Sequence, residues 1–361
     1  MHPDPKLPRP NIVLNAVSEE QLLNTRLCDL PVAIEGTWLE ECVRQLYAEL
    51  DAKGLVFHPV CYLADEWLTP EGETVIGIPF YLAHPVLVKL EHKMMLEAEG
   101  EGRDWCMQLL RHEAGHAFSY AYDLHKRGDW QKVFGSPQEE YGDTYKFKPY
   151  SKRFVRHIDG FYAQYHPDED FVETFAVWLT PDSNWQETYK GWKALDKLHF
   201  VDGLMNEIKG KPPVYKKIRK LWNQRKLTVT LKNYYRRKRQ TEQEESPDFH
   251  DVQLEKIFKP LSPEEWIAFK KDQRRSQTLL TAQALIRRHA KNILNSIDRC
   301  TGERKYIISH LLKNTSLRAR QLNMIVTDPQ DVAVVRLSVY VTSLVMNYVH
   351  TGWYRGLRRR T

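Results

Sequence analysis

The sequence predicts an α+β protein: a mostly helical first domain with a small sheet, followed by an all-α domain at the C-terminal end. Three observations predict this class. Runs with helical periodicity and recognisable caps cover most of the chain, two short β-prone runs lie between residues 55 and 81, and a dense basic stretch at 211–239 separates the two helical parts. With 361 residues, of which 42% are hydrophobic, the chain is long enough to bury two cores.

Proline content and charge predict where the domains begin and end. Residues 1–35 are rich in proline and polar groups and are expected to form an arm over the surface. Residues 36–210 are predicted as the first domain, 211–250 as a basic linker segment and 251–361 as the helical C-terminal domain.

The first predicted elements are a helix and two short strands. Residues 37–53 have apolar positions at helical spacing, and Gly54 closes the run. Residues 55–63 and 74–81 are apolar and β-prone, and the turn-forming Pro70-Glu71-Gly72 lies between them. We therefore expect these two runs to pair as a hairpin.

The most informative motif of the chain lies on the second of two helices predicted next. Residues 102–127 follow a helix predicted at 85–97, contain no proline and include His112-Glu113-Ala114-Gly115-His116. Two imidazoles four residues apart share a helical face, so both can reach one metal ion. This is the HExxH pattern of zinc hydrolases, in which the glutamate is a general base, and the alternative is a chance match on an amphipathic helix. Ser119 and Tyr122 stand where the metzincin pattern has glycine and histidine, which excludes that class.

A catalytic zinc needs a third protein ligand, and a later helix offers carboxylates for it. Residues 166–179 are predicted to form a helix that starts at Pro167 with acids in its first turn, and Glu169 and Glu173 are four residues apart. One of them can bind zinc while the other accepts a hydrogen bond from the second nitrogen of a ligating histidine. The alternative is an acidic cluster that only complements the helix dipole.

The two motifs together resemble those of a known family. HEAGH at 112–116 followed by E-D-F-V-E-T-F-A at 169–176 is similar to the gluzincin metallopeptidases, in particular the bacterial zinc-binding metallopeptidases whose second motif reads E-x-F-A-E. The resemblance covers roughly residues 40–210 and implies a zincin-like fold for the first domain. It also implies one Zn²⁺ per chain, held by His112, His116 and Glu169, with Glu173 as the supporting acid.

Peptide hydrolysis also needs a group that stabilises the oxyanion or protonates the leaving amine. Tyr162 lies seven residues before Glu169, the spacing at which related gluzincins carry an active-site tyrosine, so the resemblance favours Tyr162. Tyr165 and His157 are the alternatives. Each of the three side chains can instead pack in the wall of the domain.

The stretch 211–239 is strongly basic. It holds 12 lysines and arginines and no acid, so it carries +12 while the whole chain carries +6 and the remainder therefore −6. Aromatic residues lie between the cations: Tyr215, Trp222, Tyr234 and Tyr235. This composition suits phosphate contact with base stacking, and binding would then weaken steeply with salt. The alternative is a solvated basic face that docks on the acidic catalytic part.

The last third of the chain is helical by pattern. Ser262-Pro263-Glu264-Glu265 is a capping box that opens a helix, and three further helices are predicted at 278–299, 303–314 and 331–350. The last of these is the most apolar, but it contains Arg336, which favours a buried helix over a membrane span.

Composition and cysteine content favour a cytoplasmic enzyme. The first residues contain no apolar signal segment, and the five cysteines are odd in number and scattered, which favours reduced thiols. We predict a cytoplasmic, zinc-dependent metallopeptidase with Glu113 as general base, a peptide or protein as substrate and no membrane partner. The alternatives are a non-catalytic zinc-containing regulatory or interaction protein, and a nucleic-acid-associated protein that uses residues 211–239.

Overall fold

The computed structural model of the chain describes residues 13–140, 147–148, 150–239, 247–272, 279–351, 353–354 and 357–358. Residues 1–12 of the predicted arm, residues 240–246 of the predicted linker segment and the predicted helix start at 278 lie outside the described residues. The chain divides into two compact units. Of the described residues, 13–94, 98–140 and 147–239 form the first unit, and 95–97 and those from 247 onward form the second.

Most of the described chain is helical, and the first unit holds one small parallel sheet, so the predicted α+β class is confirmed. The elements of the first unit are α1 Glu19–Asn24, α2 Trp38–Ala52, β1 Val60–Ala64, β2 Val75–Pro79, α3 Pro85–Met95, α4 Arg103–Ala121, α5 Gly128–Phe134, α6 Pro167–Leu179, α7 Trp185–Thr188, α8 Ala194–Ile208 and α9 Leu231–Arg239. Short 3₁₀ helices lie at Leu27–Asp29, Phe80–Ala83, Leu124–Lys126, Asp159–Gln164 and Gln224–Lys226.

Helix α2 forms as predicted and holds the motif helix in place. The Thr37 hydroxyl caps its N-terminus by accepting a hydrogen bond from the Leu39 N–H at 3.3 Å, and Gly54 follows with a φ of 74° that favours glycine. Its apolar stripe is buried in the core, and Glu49 on the same helix accepts two hydrogen bonds from Arg111 of α4, at 2.8 and 2.7 Å. This buried bidentate pair fixes α4 beside α2.

The predicted hairpin between the two β-prone runs is wrong, because β1 and β2 are parallel, with Tyr62 opposite Gly77. The turn at Pro70-Glu71-Gly72 does reverse the chain, but it pairs β2 with Leu68 instead of β1, through Leu68 N–H to Gly77 O at 3.3 Å and Gly77 N–H to Leu68 O at 2.8 Å. β1 therefore occupies the other side of β2. A Cβ at position 77 would lie 2.6 Å from the Leu68 side chain and 2.9 Å from Ala64, so only glycine fits there.

The two halves of the basic stretch differ in burial. The second half packs in the first unit, whereas the first half is largely exposed. Helix α9 buries Tyr234 and Tyr235, and its Lys238 donates to the buried Glu91 at 3.0 Å. In the first half, Tyr215 is 43% and Trp222 54% exposed among the cations. Residues 211–239, which charge alone assigned to a linker segment, thus belong to the first unit.

The second unit is a helical assembly with its own core. Its described elements are α10 Asp251–Leu254, α11 Pro263–Lys271, α12 Ala282–Thr301, α13 Lys305–Gln321, α14 Gln330–Thr351, β3 Trp353–Tyr354 and β4 Leu357–Arg358, preceded by a 3₁₀ turn at Pro247–His250. The predicted capping box is confirmed, since Ser262 Oγ accepts from the Glu265 N–H at 3.2 Å and Glu265 accepts from the Ser262 N–H at 2.8 Å.

The core of the second unit is built from the apolar faces of α12, α13 and α14, which buries the stripe predicted for α12. Helix α14 buries Leu337 and Val341 but leaves Val335 and Val339 exposed, as a helix at a core surface does. Within the described part of the chain, no helix combines the length and the apolar character that crossing a membrane requires. None of the five cysteines forms a disulfide.

Candidate metal centre

The site is built where α4 packs closely on α6. Gly115 of α4 lies against Val172 of α6, so closely that a Cβ at 115 would be 2.8 Å from the Val172 Cβ and 3.0 Å from its Cα. One helical turn away, the rings of Phe118 and Phe175 are 5.3 Å apart. His112 and His116 lie on the same side of α4 as these contacts. The contacts therefore place the two motifs side by side.

We expect Gly115→Ala to weaken both folding and zinc binding, because the added methyl group meets the backbone of Val172 and must push α6 away. Overpacking of this kind costs about 1–3 kcal/mol. The matched control is Gly203→Ala in α8, where a Cβ has open space and the change should stabilise the helix by about 0.5–1 kcal/mol. Urea unfolding and zinc titration of both variants test this, and equal behaviour of the two would contradict it.

His112, His116 and Glu169 converge on one point. Their ligand atoms all lie within 4.8 Å of one another, and Nε2 of His112 and of His116 are 3.3 and 3.5 Å from the same oxygen, Oε2 of Glu169. His112 and Glu169 are buried, and His116 is half-buried.

This donor set fits a zinc ion. Two imidazoles and one carboxylate are ligands that zinc accepts, and ligand atoms about 2.1 Å from a tetrahedral zinc lie about 3.4 Å from one another. The two nitrogen–oxygen distances agree with that edge. Beside the cluster, Glu113 is 7% exposed, and its Oε2 has no hydrogen-bond partner among the described residues. A buried carboxylate oxygen without a partner is costly unless a ligand or water completes it.

Glu173 supports His112 from behind. Its Oε1 lies 2.8 Å from His112 Nδ1, and its Oε2 accepts the Ile158 N–H at 2.7 Å. The Nδ1 proton therefore points to Glu173, so Nε2, the nitrogen that faces Glu169, is the one that can bind a metal ion once its own proton is displaced. Both oxygens of Glu173, a fully buried residue, are thus already engaged.

Burial and the neighbouring charged groups shift the pKa values of the cluster in opposite directions. Burial lowers the pKa of His112, but the hydrogen bonds and charges of Glu169 and Glu173 outweigh burial and raise this pKa well above its ordinary value. Burial likewise raises the pKa of Glu169, but the imidazoles of His116 and His112 outweigh it and hold this pKa well below its usual range. A cation that binds here must displace the proton that the two carboxylates retain on His112.

The cluster opens into a cleft of about 770 Å³. Its lining comes from the residues after β1, from α4 and the turn that follows it, from the segment after α5, and from the start of α6: Leu68, Thr69, Glu71, His112, Glu113, His116, Tyr120, His125, Pro137, Gln138, Glu139, Glu140, Tyr162, Asp168 and Glu169. The Thr69 hydroxyl donates to the Glu113 carbonyl at 3.0 Å, which holds the segment after β1 against the motif helix.

Of the three candidates for the oxyanion role, only Tyr162 is part of the described cleft lining. Its ring lies 5.6 Å from that of His112, and burial, followed by the charges of Glu169 and Glu113, raises its pKa, so the phenol stays protonated. Tyr165 lies beside Tyr162, with 5.8 Å between the ring centroids. His157 instead faces Gln108 of α4, to whose carbonyl its Nε2 hydrogen bonds at 3.0 Å.

Two further cleft residues escaped the sequence analysis as site candidates. Tyr120 lies four residues after His116, and its ring stacks on the His116 ring at 6.4 Å. His125 packs edge-on against Tyr120 at 5.5 Å. Extending the four-residue spacing of the motif by one more step would have found Tyr120, whereas His125 depends on how the chain turns after α4.

A comparison with protein families matches residues 99–237 to a family described as "Putative zinc-binding metallo-peptidase". The matched segment contains both motif helices, α4 and α6, so the resemblance to such metallopeptidases that the two motifs indicated is confirmed. Neither the comparison with curated proteins nor that with solved structures gives a match.

Proposed function

We propose that this chain, which over residues 99–237 matches a zinc-binding metallopeptidase family, is a peptidase of the gluzincin type that carries one Zn²⁺. His112, His116 and Glu169 hold the ion, and Glu113 is the general base. One observation carries the proposal: the three ligand atoms converge within 4.8 Å of one another at the edge of a cleft. Glu113 also lines this cleft, and one of its buried oxygens has no hydrogen-bond partner among the described residues.

Glu169 is the third ligand in this proposal, and Glu173 is the supporting acid. The geometry supports this division because Glu169 faces both imidazoles, whereas Glu173 meets His112 on its far nitrogen and also binds the Ile158 N–H. Glu173 fixes the ring orientation and tautomer of His112.

In the mechanism, the chain's own residues position the reactants and move the proton. Bound zinc supplies Lewis acidity, which lowers the pKa of water to about 7 and polarises a carbonyl group. Glu113 takes the proton from the attacking water and passes it to the leaving nitrogen. Tyr162, protonated and in the cleft wall, donates a hydrogen bond to the oxygen on which negative charge develops.

We further propose a zincin-like arrangement in which the segment after β1 binds an extended substrate. Both main-chain groups of Leu68 are used by Gly77 of β2. The neighbouring N–H and C=O of Thr69 therefore face the opposite side in an extended chain, and Thr69 lines the cleft. A peptide that enters the cleft can add as a strand at this position.

The proposal is tested by metal analysis and by hydrolysis of a mixed peptide library. Purified protein should contain about one zinc per chain, cleave peptides, lose activity with a chelator and regain it when zinc is added. A protein that contains zinc but cleaves no peptide of the library would favour the non-catalytic regulatory or interaction protein instead.

A contact with nucleic acid through residues 211–239 stays a prediction and is our second candidate function. The exposed Tyr215 and Trp222, which lie among seven cations in residues 211–226, favour it. Because Tyr234 and Tyr235 of α9 are buried, base stacking is restricted to the first half of the stretch. If residues 211–239 contact phosphates, the affinity for a single-stranded oligonucleotide should fall as the salt concentration rises. An affinity that does not depend on salt would exclude this contact.

A further inference from the structure

The cleft carries more negative charge than the proposed reaction requires. Six carboxylates line it, and no lysine or arginine does among the described residues: Glu71, Glu113, Glu139, Glu140, Asp168 and Glu169. Glu113 and Glu169 belong to the proposed metal centre, and together they balance the two charges of a zinc ion. The other four carboxylates leave the cleft strongly negative.

These four acids have no ordinary structural explanation as a group. Asp168, in the first turn of α6, can complement the helix dipole, but Glu71, Glu139 and Glu140 are on other segments. The three glutamates are exposed and form no ion pair within the described part of the chain. Oδ2 of Asp168 lies 3.6 Å from Nδ1 of His166.

The four acids do not form a second metal site either. Among the described residues, only His112, His116 and Glu169 bring three ligand atoms within 4.8 Å of one another. The additional carboxylates are therefore spread along the cleft, an arrangement that suits a cationic group on a bound peptide better than a single metal ion.

A second observation points to a hydrogen-bond donor in this cleft. Glu113 is more than nine-tenths buried and lines the cleft, and no group in the described part of the chain hydrogen bonds to its Oε2. Oδ1 of Asp168, on the same wall as Glu169, is also buried and has no hydrogen-bond partner within the described ranges. A substrate that brings positively charged N–H donors meets both the charge and the unfilled hydrogen-bonding capacity of the cleft.

We propose that the cleft selects peptides with cationic nitrogen next to the scissile bond, either lysine and arginine side chains or a free N-terminal amine. This inference rests on the proposed peptidase function. Glu71, Glu139 and Glu140 determine the preference by attracting the cation. Exposed ion pairs are individually weak, so three acids together should give a preference of about tenfold.

The experiment uses two assays on the zinc-loaded full chain. The first compares kcat/KM for matched fluorogenic peptides that have lysine, arginine or glutamine beside the cleaved bond, each with a free and with an acetylated N-terminus. The second measures binding of the same peptides, labelled for fluorescence anisotropy, to the Glu113→Gln variant, which reports selection without hydrolysis. In both assays, the preference for the basic peptides should decrease when the salt concentration is raised from 0.1 to 1 M, because the Debye length shrinks from about 10 to about 3 Å.

Two triple variants remove the same charge from different places. The cleft variant is Glu71→Gln, Glu139→Gln and Glu140→Gln, and the control is Glu20→Gln, Glu35→Gln and Glu187→Gln, which changes three exposed acids outside the cleft lining. The basic-to-neutral ratio should fall below about threefold in the cleft variant, since each of these weak pairs is lost, and stay near tenfold in the control.

The outcomes separate this inference from the function on which it rests. Hydrolysis without any charge preference, or an equal loss of preference in both triple variants, overturns the inference and leaves the peptidase standing. Selective binding of basic peptides without hydrolysis by the unaltered protein supports the inference and overturns the peptidase. A preference that survives acetylation assigns the cation to side chains, and one that disappears assigns it to the N-terminal amine; both support cationic nitrogen as the recognised group.

Discussion

Replacing Glu113 by glutamine should lower peptide hydrolysis by about 10²–10⁴-fold while zinc content stays at about one per chain. Glutamine has nearly the same shape and remains buried at the cleft wall, but its amide cannot accept a proton at neutral pH. Because Glu113 is not among the three converging ligand groups, the metal site should remain intact. Elemental analysis and initial rates on the same preparation measure the two effects separately.

The matched control for this change is Glu187→Gln, which removes one exposed carboxylate from the first unit at a position outside the described cleft lining. It should leave both zinc content and rate unchanged. A Glu113→Gln variant with the activity of the control would show that another group is the base, whereas one that loses zinc would place Glu113 among the metal ligands.

Two further substitutions should separate the ligand from its supporting acid. We expect Glu173→Gln to weaken zinc binding about 10–100-fold, the usual effect of losing a hydrogen-bonding partner of a ligating histidine. Glu169→Gln should weaken it further, because a charged oxygen that faces both imidazoles is lost. The two changes remove the same charge and keep the same volume, so they control for one another.

Zinc affinity in these two variants is measured by competition with a chromophoric chelator, and circular dichroism verifies that each variant is folded. The ranking is the informative result. If Glu173→Gln loses more affinity than Glu169→Gln, the roles of the two residues are reversed, and α6 must present its second glutamate to the metal.

Local regularities made much of the fold predictable. Helical periodicity and caps located α2, α3, α4, α6 and the helices α11 to α14 of the second unit, because capping and amphipathic spacing act over a few neighbouring residues. Local signals did not predict how β1 and β2 pair. Their composition indicated strands, but whether two strands pair parallel or antiparallel depends on what else lies beside them, and here Leu68 takes the position that β1 would have had in a hairpin.

For the candidate site, the sequence by itself determined that His112 and His116 share one face of a helix and that Glu169 and Glu173 share one face of another, because a helix repeats every 3.6 residues whatever surrounds it. It could not decide which glutamate faces the imidazoles, or that Glu71, Glu139 and Glu140 join the same cleft. Only the tertiary structure decided these points, through the close contact of Gly115 with Val172 and the Ile158 N–H that engages Glu173. The physical reason is that helical spacing is a local property of the chain, whereas side chains on separate segments meet only where packing over the whole unit brings those segments together.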